Sequence, residues 1–125
     1  MKYITLEQLI LMHDVIIDKF GGSHGIRDKE ILYYIIDAPF GSFYGEEFYK
    51  EIIDKIIIFV FCLVKDHPFV DGNKRIGFHC FILLCKLNNI NIKYTNDSMI
   101  ECFLNLAQDL TKEKIKEFVD KIICK

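Results

Sequence analysis

His67, Asp71, Asn73, Lys74 and Arg75 fall within one short run, His67-Pro68-Phe69-Val70-Asp71-Gly72-Asn73-Lys74-Arg75. These side chains divide a chemical task between them. A neutral imidazole can accept a proton from an attacking hydroxyl. A single carboxylate suits a hard Mg²⁺ ion, which takes one or two carboxylates and completes its shell with substrate phosphates. Two cations at the start of a helix suit a polyphosphate. The run contains no Ser, Cys or Thr, so direct transfer to an outside hydroxyl is more natural than a covalent enzyme intermediate.

The backbone of the run follows from its residue types. Pro68 moves His67 out of the helical region and ends the preceding helix beside the imidazole. Asp71-Gly72 is a turn signal in which Gly72 takes positive φ, and Asn73 is the expected N-cap of the next helix. The N–H groups after Asn73 then face one small volume, an anion site. Lys74 and Arg75 sit in the first turn, where cations oppose the helix dipole by about 0.3–1 kcal/mol each. A polyphosphate bound there reverses the sign. From the residues alone, a capped connection with two solvated cations is the competing reading.

Two apolar runs, residues 52–64 and 76–87, flank the loop and read as buried helices that hold it. The chain has 125 residues, 51% of them hydrophobic, and no linker-like segment, which points to one domain spanning 1–125. A chain of this size buries roughly two-thirds of its unfolded surface. A formal charge of −2 lacks the basic excess of nucleic-acid binders. The apolar stretches are interrupted by Asp54 and Lys55 or by His79 and Lys86 and fall short of the roughly 20 residues of a membrane span. Met1-Lys2-Tyr3 leads into an amphipathic helix rather than a secretory h-region. Cys62, Cys80, Cys85, Cys102 and Cys124 show no Cys-x-x-Cys spacing, so buried free thiols in a reducing cytoplasm are expected.

In chain order, Thr5 and Gln8 form a capping box for a first helix that Gly21-Gly22 stops after Phe20. Leu6, Leu9, Ile10, His13, Ile16 and Ile17 share one face, with His13 read as a core or boundary histidine. His24 lies in a surface turn, and Asp28 caps a second helix over residues 29–36. Residues 37–44 carry Pro39, Gly41, Phe40, Phe43 and Tyr44, a pattern for a hairpin or extended flap. Its exposed aromatics could take a target segment by strand addition, or fold onto the core. A third helix is expected over residues 46–65 and a fourth over 74–87, with His79 packing. Residues 90–94 alternate as an extended connection, Asn96 or Asp97 starts a fifth helix to about Leu110, and Thr111 caps a last one ending at Ile123. Lys112, Lys114, Lys116 and Lys121 give that helix a solvated face.

The central run resembles the Fic/Doc signature, His-Pro-Phe, any residue, Asp or Glu, Gly-Asn, Gly or Lys, then Arg, and meets it at each specified position. Lys74 is similar to the Doc (death-on-curing) branch, because nucleotide-transferring Fic enzymes usually carry glycine there. Gly25-Ile26-Arg27-Asp28, Ala38-Pro39-Phe40, and Tyr44-Gly45 leading to Phe48-Tyr49 extend the likeness over nearly the whole chain, weakest after Asn89. The resemblance implies an all-α, compact Fic/Doc helical fold with about six helices and a short flap before the third.

It further implies a toxin that moves the γ-phosphoryl of ATP, with Mg²⁺, to a Thr or Ser hydroxyl of a target protein such as elongation factor Tu, arresting translation. Transfer of AMP to a protein hydroxyl is the alternative, and a non-catalytic binding module is a third reading. In the catalytic set implied, His67 is the base, Asp71 holds Mg²⁺, Gly72 and Asn73 cradle phosphate, and Lys74 and Arg75 neutralise charge. Phe40, Gly41, Ser42, Phe43 and Tyr44 become contacts for the modified segment. Ile76 departs from the Thr that many relatives carry after the arginine. The nearest match to the inhibitory helix of self-inhibited relatives, Ser42 to Glu46, is followed by Glu47, so inhibition in trans by an antitoxin that folds a segment against this chain is expected.

Overall fold

The computed structural model of the chain describes residues 1–93 and 108–123. Among these, five α-helices and one two-stranded hairpin make a helical fold. Helix α1 (Leu6–Phe20) starts where the Thr5 hydroxyl accepts from the Gln8 N–H at 3.1 Å and the Gln8 side chain accepts from the Thr5 N–H at 2.9 Å. That is the expected capping box, and it satisfies two N–H groups that the helix itself cannot. Gly21, at φ 89°, ends the helix. Asp28 caps α2 (Lys29–Asp37) by accepting from the N–H groups of Glu30 and Ile31.

Among the described elements, helices α3 (Ile52–Asp66) and α4 (Asn73–Leu87) share the most extensive interface. Nearly every residue of α3 from Lys55 to Val64 is buried, as befits a helix apolar on all sides. Phe59, Leu63, Ile76, Phe81 and Leu84 are fully enclosed between the two helices and their neighbours; each such side chain contributes about 1.5–3 kcal/mol on burial. Helix α1 packs on α4, α2 on α3, and a last helix α5 (Lys112–Ile122) on α3. The Thr111 hydroxyl caps α5 by accepting from the Lys114 N–H. The site loop is therefore the short link between two helices fixed on every side.

Two boundaries differ from the sequence expectation. The third helix begins at Ile52 rather than residue 46, because Glu46 and Glu47 form a strand β2 (Glu46–Glu47) paired with β1 (Ser42–Phe43). The register is Ser42 with Glu47 and Phe43 with Glu46. Tyr44 and Gly45, at φ 51° and 80°, make the two-residue turn that the twist of a hairpin favours. Buried Lys55 then ties down the segment before α3: its ammonium donates to the Tyr49 carbonyl and lies 3.4 Å from a Glu47 carboxylate oxygen. The flap also begins differently, since Ala38–Phe40 form a 3-10 turn with Pro39 at its start, where a missing N–H costs nothing.

The expected extended connection is present over residues 90–93, where the Lys93 N–H donates to the Ile122 carbonyl and Ile92 bridges Ile123. The fifth helix expected from Asn96 or Asp97 lies outside the described residues but for residues 108–110, which are not helical. Cys62, Cys80 and Cys85 are buried free thiols. Burial pushes the Cys62 thiol up to about 11 and the Cys85 thiol up to about 12, leaving little thiolate at neutral pH. Cys102 and Cys124 are outside the described residues. Among those residues no helix is long and apolar enough to cross a membrane.

Candidate active site

The loop between α3 and α4 is held by residues far from it in sequence. The N–H groups of Arg27 and Asp28 both donate to the Pro68 carbonyl, at 2.8 and 3.1 Å, and the Val70 N–H donates to the Gly25 carbonyl at 3.0 Å. Ile26 and Phe69 form an antiparallel bridge. The Arg27 guanidinium adds bonds to the His67 carbonyl and, at 2.7 Å, to the Asp66 carbonyl. Those are carbonyls that the end of α3 leaves without helical partners, and a cation is the favoured one to meet them.

His67 leaves the helix as expected, but into the left-handed region, at φ 50° and ψ 61°, rather than the extended one. The Arg27 bonds and the doubly accepted Pro68 carbonyl fix the chain on both sides of it. The imidazole is exposed. Its Nδ1 lies 3.5 Å from the Asn73 amide nitrogen, and among the described residues Nε2 has no hydrogen-bond partner.

Asn73 is not the N-cap of α4. Gly72, at φ 74°, takes that position, and Asn73 is the first helical residue, buried. Its side-chain oxygen accepts from the Phe69 N–H and its amide nitrogen donates to the Phe69 carbonyl, both at 3.0 Å. The amide thus closes the loop from within, doing for Phe69 what a paired strand would do. The consequence for α4 is the reverse of capping. Gly72 has no side chain to offer, no cap bond is made, and the first helical bond is from the Ile76 N–H to the Gly72 carbonyl at 2.9 Å. The N–H groups of Asn73, Lys74 and Arg75 remain for a ligand.

Asp71 is exposed, and its carboxylate is oriented by backbone donors: Oδ1 accepts from the Gly72 N–H at 2.8 Å and Oδ2 from the Ser23 N–H at 3.2 Å. Gly22 has φ 114°, which favours glycine, and a Cβ there would stand 2.8 Å from Asp71 Oδ2 and push the carboxylate aside. Lys74 and Arg75 are exposed, and the Arg75 guanidinium lies over the Phe20 ring, 4.2 Å from its centroid. His79 packs between Phe20 and Phe78 as expected; burial, then the charges of Arg75 and Lys19, hold its pKa below the ordinary histidine value.

The hairpin exposes its aromatics strongly, Phe43 at 64% and Tyr44 at 92%. Among the described residues no hydrogen bond or ring contact joins residues 40–44 to residues 67–75. Ser42 and Glu46 lie on strands, so the nearest match to an inhibitory helix motif is not a helix. Sequence reasoning gave no role to Arg27 or to His13, which is 1% exposed and reaches the loop from α1. The signal for Arg27 was present in the Gly25-Ile26-Arg27-Asp28 run; for His13 it was a polar ring on an apolar face.

Fold and loop together define a helical protein whose polar loop opens a buried helix at an uncapped N-terminus. The sequence profile of the Fic/DOC family matches residues 3–85, and the chain belongs to that family. It is 28% identical over 112 residues to a protein named Toxin Doc from Mycolicibacterium smegmatis (strain ATCC 700084 / mc(2)155), covering 90% of this chain and 79% of that one. It is 30% identical over 95 residues to Protein kinase doc of Escherichia phage P1, covering 74% and 72%.

Proposed function

We propose that this protein is a Doc-type toxin that transfers the γ-phosphoryl of ATP to a Thr or Ser hydroxyl of a target protein, elongation factor Tu being the first candidate. The observation that carries the reading is the start of α4: Gly72 leaves the N–H groups of Asn73, Lys74 and Arg75 uncapped, two cations stand in the same turn, and His67 opens the loop. His67 takes the proton of the target hydroxyl as that oxygen bonds to the γ-phosphorus. The bond from the γ-phosphorus to the bridging oxygen breaks, ADP leaves, and the proton passes from His67 to water. The helix N-terminus, Lys74 and Arg75 stabilise the charge on the phosphate oxygens.

Asp71 fits an Mg²⁺ ion delivered with the nucleotide, since each oxygen spends one lone pair on a backbone N–H and keeps another for the ion. The ion would neutralise phosphate charge. The names of the two relatives support a toxin and kinase reading, and with it an antitoxin partner acting in trans.

The test incubates the purified chain with Mg²⁺ and bacterial lysate, using ATP labelled at the γ-phosphate in one sample and the α-phosphate in the other. Label from γ alone, lost with His67→Ala, supports the reading and identifies the target band. Label from α replaces it with AMP transfer, and no label from either points to a binding module.

A further inference from the structure

We infer that His13, on α1, is a positioning residue that sets the Asp71 carboxylate through a single peptide unit; the inference rests on the reading of Asp71 as the group that meets Mg·ATP. His13 is 1% exposed, and its Nε2 lies 2.7 Å from the Asp71 carbonyl oxygen. Its ring stacks flat on Phe69, 3.8 Å between centroids and 5° between planes. A carbonyl only accepts, so Nε2 carries a proton and donates.

The bonded carbonyl belongs to the peptide that joins Asp71 to Gly72, and the N–H of that same peptide is the one that Asp71 Oδ1 accepts at 2.8 Å. Among the described residues no peptide is cis, so the carbonyl and N–H of this unit point in opposite directions. Fixing the carbonyl on His13 therefore aims the N–H, and the N–H aims the carboxylate. Ile17, one turn on, completes the floor: a Cβ on Gly72 would lie 3.0 Å from Ile17 Cδ1 and 3.7 Å from His13 Nε2. A phenylalanine at position 13 would fill the same space and keep the stacking without placing a polar ring in the core. What histidine adds is the donor.

Rotation of this peptide is the motion that the donor prevents. A peptide that precedes a glycine can rotate when nothing holds its carbonyl, because glycine takes positive and negative φ about equally readily. After such a rotation the Gly72 N–H would no longer face Asp71 Oδ1, and the carboxylate would lose its inner partner. Asn73 and the Arg27 bonds hold the loop at Phe69 and His67, and the Ser23 N–H holds only the other carboxylate oxygen, Oδ2, so none of them fixes the peptide between Asp71 and Gly72 as His13 does.

The test compares His13→Phe, which keeps the ring and removes the donor, with His13→Gln, which restores an N–H. Two quantities are read. The first is Mg·ATP affinity by titration calorimetry in a His67→Ala background, free of turnover. The second is hydrogen exchange of the Gly72 amide by NMR, which needs no ligand. His13→Phe should weaken Mg·ATP about tenfold, the worth of one hydrogen bond, and speed Gly72 exchange by a similar factor, with His13→Gln recovering most of both. In an Asp71→Asn background, His13→Phe should add no further loss of Mg·ATP affinity.

Unchanged Gly72 exchange in His13→Phe overturns the inference whatever the nucleotide does. So does a loss of affinity that is equal in His13→Phe and His13→Gln, or one that persists in full on Asp71→Asn, since either means that His13 serves only the core. If the parent binds no Mg·ATP, the proposed function fails, and the exchange measurement still decides whether His13 fixes the peptide.

Discussion

Arg27→Ala should lower the rate of transfer while leaving nucleotide affinity alone. The side chain bonds to the carbonyls of Asp66 and His67, and His67 sits at φ 50°, a conformation that costs an L-residue about 1–2 kcal/mol. Partly exposed charge-assisted hydrogen bonds contribute about 1 kcal/mol each, so the pair offsets that strain. Without them His67 relaxes toward the extended region that a residue before proline prefers. A shift of about 1.4 kcal/mol is tenfold in the population of the productive geometry, so kcat should fall about 10–30-fold, less than the 10²–10⁴-fold expected for loss of the base itself. The uncapped N–H groups of α4 are untouched, and KM for ATP should stay within about twofold. Arg27→Lys should recover part of the loss, because an ammonium cannot reproduce the two-pronged fork. Steady-state rates on the labelled target, with and without His67→Ala, are the assay. An equal Arg27→Ala effect in both backgrounds, or a raised KM with kcat intact, would refute the argument that Arg27 acts through His67.

Three further outcomes test the frame around the loop. Thr5→Ala removes the capping box of α1 and should cost about 1 kcal/mol in urea unfolding. Leu63→Ala opens the interior of α3, where Leu63 is wholly buried, at about 3 kcal/mol by the same measurement. His24 is hydrogen-bonded to Asp14 and to Asp18, at 3.2 and 2.7 Å, and these carboxylates raise its pKa above the ordinary 6.5. A raised folded pKa stabilises fully below the unfolded value and is lost as pH rises through the folded one. His24→Ala should therefore lower the urea midpoint at mildly acidic pH and leave it unchanged in alkaline buffer.

Local signals in the chain were strong where one residue type answers one local need. Thr5, Asp28 and Thr111 were readable as caps because a short polar side chain before an apolar period has few other uses. Gly72 was readable as a positive-φ turn residue for a similar reason. The sequence pattern starts the third helix six residues early because Glu46 and Glu47 are good helix formers, and only the pairing with Ser42 and Phe43 shows that their backbone bonds are already committed. His24 read as a plain surface residue, since its carboxylate partners lie back on α1, where no local rule looks for them.

The sequence by itself determined the chemical groups of the loop, the helical frame on either side and the membership of its family, because each of these is carried by residue type and spacing within a few positions. Tertiary structure decided which residues aim those groups. Asn73 could cap α4 or close the loop on Phe69, and burial chose the second. Arg27 and His13 meet the loop from 40 and 58 residues away, and no short spacing records a contact made when α1 and the strand-like segment before α2 close over the link between α3 and α4. The physical reason is that a side chain's donors are written in its type, whereas the acceptor it meets is fixed only when the helices pack.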